Sequence, residues 1–252
     1  MTRPIMPSAS ILFARPDFDV RDFEGLFARH WGEEAPPAFE ADQRPGRYAA
    51  RLADCLVVLE AGVRPYDDFE LLTACGNTPE DALKETFAGA AAFVRVTVAP
   101  ASGGVTPRQA ALVLTSLVTT LATLEGALCA ACARRLLTCG RWLEGANALA
   151  QGRVPVELLV HAGVWEAGEN RFAGFTSGLD AFGSPELEIR PSPASPEACG
   201  TLLKRLAGYV IETGRGLKAG DRVAVAEGRT AELEFAPSLV LEGETTLQFT
   251  LA

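Results

Sequence analysis

The chain has only two histidines, His30 and His161, in 252 residues, too few for a histidine-rich metal centre. It also lacks the glycine-lysine phosphate loop, the Gly-x-Ser-x-Gly nucleophile elbow and the His-Glu-x-x-His helix, so no familiar hydrolytic or nucleotide-handling motif is present. Cations are in deficit, with 23 Lys and Arg against 32 Asp and Glu and a net charge of -9. That balance opposes a phosphate backbone, and nucleic acid is not expected as a partner. Long apolar runs are scarce too. Ile11 to Ala14 is too brief for the core of a secretory signal, so the chain is expected to stay in the cytosol. Ala110 to Ala133 carries one charge, Glu125. There, however, Leu114, Leu117, Val118 and Leu121 share one helical face while Thr115, Ser116, Thr119, Thr120 and Thr123 fall largely on the other, which predicts a half-buried core helix and no membrane span. The six cysteines, Cys55, Cys75, Cys129, Cys132, Cys139 and Cys199, are scattered through apolar surroundings and read as small buried hydrophobes in a reducing compartment.

What the chain does have is a dense segment from Phe172 to Ile189, FAGFTSGLDAFGSPELEI. Gly174, Gly178 and Gly183 alternate with Phe172, Phe175 and Phe182 between two strand-like ends, the pattern of a tightly packed, fixed loop. A loop of this kind holds a ligand or turns a corner, and the residues alone do not choose between the two.

Hydrophobic content of 48% and charged content of 22% describe an ordinary globular protein of one large domain or two smaller ones. Ser10 to Arg15 reads as a strand, Asp19 as the cap of an amphipathic helix, and Phe39 to Gln43 and Tyr48 to Ala61 as two more strands separated by the Pro45-Gly46 turn. A short helix is expected near Tyr66 to Thr73. Thr78-Pro79-Glu80-Asp81 has the grammar of a helix start, with Thr78 as cap, and Phe93 to Val98 alternates as a strand. The order β-α-β-β-α-β over residues 8–100 predicts a ferredoxin-like unit. Thr106-Pro107 opens a long helix. A strand from Ala127 to Ala131, a helix near Arg134 to Leu149, strands at Val156 to Trp165, Arg171 to Thr176 and Pro185 to Ile189, and a helix capped by Ser195 follow, before an alternating tail from Val223 to Leu251. The expected class is therefore α+β with mixed or antiparallel sheets: two packed sandwich-like units, residues 1–100 and 101–252, or one continuous domain, with breaks at Pro100 to Gly104 and Pro191 to Ser195.

Cys129-Ala130-Ala131-Cys132 has the spacing of a redox pair, but its flanks do not read clearly as strand then helix, and buried cysteines are the simpler reading. His161 shares a strand face with Glu157, roughly 13 Å away, too far for a direct dyad. It reads as a polar residue satisfied at the strand surface. Glu186 and Glu188, with Asp180 in the preceding loop, have the arrangement for a hard cation or a shared proton. The alternation with Leu187 and Ile189 favours carboxylates turned to solvent. Gly214-Arg215-Gly216-Leu217-Lys218-Ala219-Gly220 looks like a dinucleotide fingerprint but follows a helix and precedes a strand, the wrong order for a pyrophosphate loop. A helix C-terminal turn accounts for it.

The run Thr176-Ser177-Gly178-Leu179-Asp180-Ala181-Phe182-Gly183-Ser184-Pro185-Glu186-Leu187-Glu188 resembles the bacterial domain-of-unknown-function family DUF4261, in which Thr-x-Gly-Leu leads to Phe-Gly, then Glu-Leu-Glu, then a helix similar to Leu202 to Ile211. The resemblance is best over the last hundred residues or so, with a weaker echo from Phe93 to Leu124. It implies no catalytic residue, no cofactor and no substrate. The leading expectation is a cytosolic protein that binds another protein, an immunity or accessory factor whose carboxylates steer a basic partner, with Phe172 to Glu188 in the contact. Phe175, Thr176, Gly178, Asp180, Phe182, Gly183, Glu186, Glu188 and His161 are the candidate binding residues. The alternative is an enzyme or small-ligand protein with a site between the two units, using Asp180, Glu186, Glu188 and His161 as acid, base or cation contacts. A structural homodimer joined at a sheet edge is the third.

Overall fold

A computed structural model describes residues 6–32, 37–63, 67–101, 104–241 and 243–251. The chain divides into two compact units, one of Met6–Leu158 and one built on Leu159–Ala252. The sequence pattern placed a boundary at residue 100. Strands beyond that point belong to the first sheet, and the division falls between Leu158 and Leu159.

In the first unit, β1 (Ser8–Phe13) leads to α1 (Val20–Trp31), then β2 (Glu40–Ala41), β3 (Arg47–Leu52), β4 (Cys55–Val63), α2 (Phe69–Gly76), α3 (Asp81–Gly89), β5 (Ala92–Pro100), α4 (Pro107–Ala122), β6 (Ala127–Cys132), β7 (Arg135–Thr138) and α5 (Cys139–Ala146). The sheet order is β2-β3-β4-β5-β1-β6-β7, antiparallel throughout. This is an α+β fold, and its order departs from the ferredoxin-like expectation. A single crossover helix returns a strand parallel to its predecessor, whereas here α2 and α3 together carry the chain out and back. It re-enters the sheet where it left, with Val63 paired to Ala92 and β5 antiparallel to β4. The expected helix near Tyr66 to Thr73 is α2, starting from its cap Asp68; Tyr66 itself lies outside the described residues, as does Pro36.

Local chemistry sets several of these boundaries. Asp19 and Thr106 cap α1 and α4 by accepting from Arg21 N and Gln109 N, as their positions predict. Thr78 does not cap a helix. Its hydroxyl donates to Ala74 O and accepts from Leu136 N, so α3 begins later, after Glu80, without a side-chain cap. Tyr48 to Ala61 is a hairpin of two strands, closed by Ala53 and Asp54, both at positive φ, the backbone of a tight two-residue turn. The segment from Arg134 that reads as one helix is strand β7 followed by α5.

Helix α4 packs against β5, β1, α1 and α5. Its threonine face is partly covered: Trp31 Nε1 donates to Thr120 Oγ1 and Trp142 Nε1 to Thr119 Oγ1. Thr115 and Thr120 are buried and turn their hydroxyls onto Ala111 O and Ser116 O. Among the described residues no helix is long and apolar enough to cross a membrane.

Cys129 and Cys132 stand three apart on β6, hence on opposite faces and roughly 10 Å apart, beyond the reach of a disulfide. Both are buried and free, and burial pushes each thiol up to about 12. Native protein treated with a thiol-specific reagent at pH 8 and mapped by mass spectrometry should therefore leave Cys129 and Cys132 unlabelled until it unfolds. Labelling within minutes, or a 129–132 disulfide, contradicts this placement.

The chain passes through the short α6 (Val156–Leu159), where a strand had been expected to start, into the second unit. There β8 (His161–Gly168), β9 (Arg171–Ser177), β10 (Leu187–Ser192), α7 (Pro196–Thr213), β11 (Arg222–Ala226), β12 (Arg229–Glu232), β13 (Glu234–Pro237) and β14 (Thr245–Phe249) follow. The main sheet runs β13-β14-β10-β9-β8, with β11 and β12 as a separate hairpin. All neighbours in it are antiparallel except β10 and β14. Helix α7, capped by Ser195, packs on β8 and β9 and buries Leu202, Leu203, Leu206 and Val210.

Candidate functional site: two buried carboxylates and the turns they hold

The nine candidate residues all lie in the second unit, around its central strand β10. Residues of both alternating sets along this central strand are buried. Leu187, Glu188 and Ile189 are each fully buried, and Glu186 is 3% exposed. The expectation that the two glutamates face solvent is overturned. A two-residue period separates the faces of a strand but does not say what covers each of them.

Glu186 sits at the mouth of the turn between β9 and β10. Its Oε1 accepts from the backbone N–H of Gly178, Leu179 and Asp180 at 2.6, 2.9 and 3.3 Å, and its Oε2 accepts from Thr176 Oγ1 at 2.7 Å. The Thr176 hydroxyl in turn accepts from Leu187 N. Three successive N–H groups converging on one oxygen form an anion nest. Gly178, at φ 99°, supplies the backbone twist that aims them. Burial and the neighbouring Asp180 carboxylate outweigh these donors, so the Glu186 carboxyl is pushed up to about 7.

Glu188 does the same work for a different turn. It accepts from Ser238 Oγ, from Leu239 N at 3.0 Å and from Gln248 Nε2 at 3.0 Å. Gln248 Nε2 also reaches Pro237 O at 2.8 Å, so the carboxylate ties β10, β14 and the turn after β13 into one network. Ser238 Oγ accepts from Val240 N and Leu241 N, which closes that turn on itself.

Phe175, opposite Glu188 in the register, lies over Gly163, where a Cβ would collide with its ring. His161 and Trp165 meet the same ring edge-on, with centroids 5.7 and 6.0 Å away. This explains His161: it belongs to an aromatic row on the sheet, at favourable edge-to-face distances. Phe182 is buried, Asp180 is half-buried with its carboxylate accepting from Ala181 N, and Gly183 is exposed at φ 84°. The structure thus brings Thr176, Gly178, Asp180 and Glu186 together, and Glu188 joins Phe175 on the neighbouring stretch of sheet. Among the described residues no group of histidine, cysteine or carboxylates is arranged to hold a metal ion.

Sequence reasoning missed Ser238, Leu239 and Gln248, which no local motif marks. It also set aside the glycine-rich stretch after α7, although the helix-end reading was right as far as it went: Gly214, at φ 67°, is the left-handed cap of α7 and donates to Val210 O. Gly216 has a separate duty. A Cβ there would strike the Gly183 carbonyl oxygen, and next to it Leu217 N donates to Ser184 Oγ at 3.2 Å. The Phe-Gly-Ser turn and the glycine-rich stretch are fastened together.

Residues 175–250 match the family described as Domain of unknown function (DUF4261), the family that the 176–188 segment resembles, and the match lies wholly within the second unit. No curated protein and no solved structure matches the chain.

Proposed function

We propose that the protein is a non-catalytic, cytosolic protein-binding factor of the accessory or immunity type, and that it makes contact through the β13 edge of the five-stranded sheet. One observation carries this reading. Phe235, Leu239 and Val240 are 55%, 57% and 43% exposed on an edge strand and on the turn that the buried Glu188 fixes. A turn whose backbone is already held in place loses little conformational freedom on binding. An edge strand also offers unpaired backbone for strand addition. The exposed Glu232 beside it, in a chain of net charge -9, suits a basic partner. Glu186 and Glu188 engage donors of the chain itself, which favours a scaffold role over acid-base chemistry. In this reading Phe172 to Glu188 supplies the rigid frame, and the alternative of a ligand site built on Asp180, Glu186, Glu188 and His161 takes second place.

The test uses the full chain as bait in lysate of its native cells, beside a Phe235→Ser/Leu239→Ser variant whose circular dichroism is unchanged. A stoichiometric basic partner retained by the first and lost by the second is expected. A partner held equally by both, or recovered by neither, overturns the proposal, and self-association seen by light scattering reassigns the edge to a homodimer.

A further inference from the structure

The glycine-rich stretch after α7 borders a groove of about 840 Å³, within the size range of small-molecule sites. Four cations line it: Arg205 from α7, Arg215 and Lys218 from the stretch itself, and Arg222 from β11. Leu206, Leu217 and Val223, each 7% exposed, form its apolar floor, and Tyr209, 43% exposed, stands at its side. This concentration of positive charge occurs in a chain with nine more acidic than basic side chains. The one carboxylate among the lining residues, Asp221, accepts from the backbone N–H of Lys218 at 2.9 Å and so closes its own turn. Among the described residues Arg215, Lys218 and Arg222 have no ion-pair partner.

Cations just beyond a helix C-terminus often serve the helix, by neutralising its last carbonyls. Here two carbonyls of the last turns are otherwise engaged. Val210 O accepts from Gly214 N, and Tyr209 O accepts from Thr213 Oγ1. Arg205 instead donates through Nη2 to Ala224 O, bracing α7 against β11 across the groove. The placement of Arg215 and Lys218 is also fixed from outside the helix, since Gly216 and Leu217 between them are docked on Gly183 and Ser184.

The geometry points to a binding site for a phosphate-bearing small molecule with a flat ring, of nucleotide size. The guanidinium groups of Arg205, Arg215 and Arg222 and the ammonium of Lys218 receive its phosphates, and its ring lies against Tyr209 over the apolar floor. This site is separate from the β13 edge and uses none of its residues.

The experiment is isothermal titration of the full chain with ATP, inorganic pyrophosphate and adenosine at low salt. ATP is expected to bind with sub-millimolar affinity, pyrophosphate more weakly, and adenosine not detectably. Arg215→Ser/Lys218→Ser, two exposed positions whose loss leaves the fold intact by circular dichroism, should weaken ATP at least tenfold. Tyr209→Ala should weaken ATP about threefold or more and leave pyrophosphate unchanged. Absence of ATP and pyrophosphate binding, or ATP binding indifferent to Arg215→Ser/Lys218→Ser, overturns the proposal. A decaglutamate peptide that binds where ATP does not overturns the ligand class.

Discussion

Replacing Glu186 by alanine should destabilise the second unit by about 3–4 kcal/mol, because four donors lose their acceptor in a buried place at once. Three are backbone N–H groups of residues 178–180 and one is the Thr176 hydroxyl, and none can follow the shortened side chain without unwinding the turn. Glu186→Gln keeps an amide oxygen in the nest and stays within about 1 kcal/mol of the parent at pH 7. The two variants also separate the charge from the contacts. The wild-type carboxyl is pushed up to about 7 from an ordinary value of 4.5, so the folded state binds the proton more tightly than the unfolded state. The stabilising contribution of that proton is fully present below pH 4.5 and is lost as pH rises through about 7. Urea midpoints measured from pH 5 to 8 should fall with pH by on the order of 1–3 kcal/mol in the wild type and lose that component in Glu186→Gln. A Glu186→Ala variant as stable as the parent would remove the carboxylate from the account.

The second large effect is expected at Glu188. Alanine there leaves Leu239 N and the Ser238 hydroxyl without their buried acceptor, and Gln248 Nε2 without one of its partners, a loss of about 2–4 kcal/mol. Its signature differs from that of Glu186→Ala. The damage concentrates in the 238–241 turn and in β13, so the partner binding proposed at Phe235 and Leu239 should weaken at least tenfold under conditions where the variant remains folded. Glu186→Gln should leave that binding unchanged. If Glu188→Ala binds the partner as the parent does, the carboxylate does not organise the edge.

What the sequence made legible is what acts locally. Asp19, Thr106 and Ser195 cap helices through N–H groups two or three residues away, and their spacing reveals them. Thr78 has the same local grammar but spends its hydroxyl on Leu136 N, a partner brought in by the sheet, so the local rule fails. The glutamates fail for a related reason. Leu187 and Ile189 correctly read as core, but the cover over Glu188 arrives from Ser238 and Gln248, and a strand's own pattern does not record strands that pair with it later. The first sheet was misread because two short helices, α2 and α3, look like one crossover until their return to the same sheet end is seen. Gly216 was read as part of a helix C-terminal turn, whereas its reason, the Gly183 carbonyl, lies across the unit.

The central claim is that Glu186 and Glu188 are internal acceptors that fix two turns of the second unit. Amide hydrogen exchange of the native full chain tests it most directly, residue by residue, at Gly178, Leu179 and Leu239. These N–H groups belong to turns, and the carboxylates are their hydrogen-bond acceptors. The account predicts slow exchange at all three in the wild type, with Leu239 alone released in Glu188→Ala and Gly178 and Leu179 alone released in Glu186→Ala. Fast exchange of these amides in the wild type, or protection unchanged by either substitution, would contradict it.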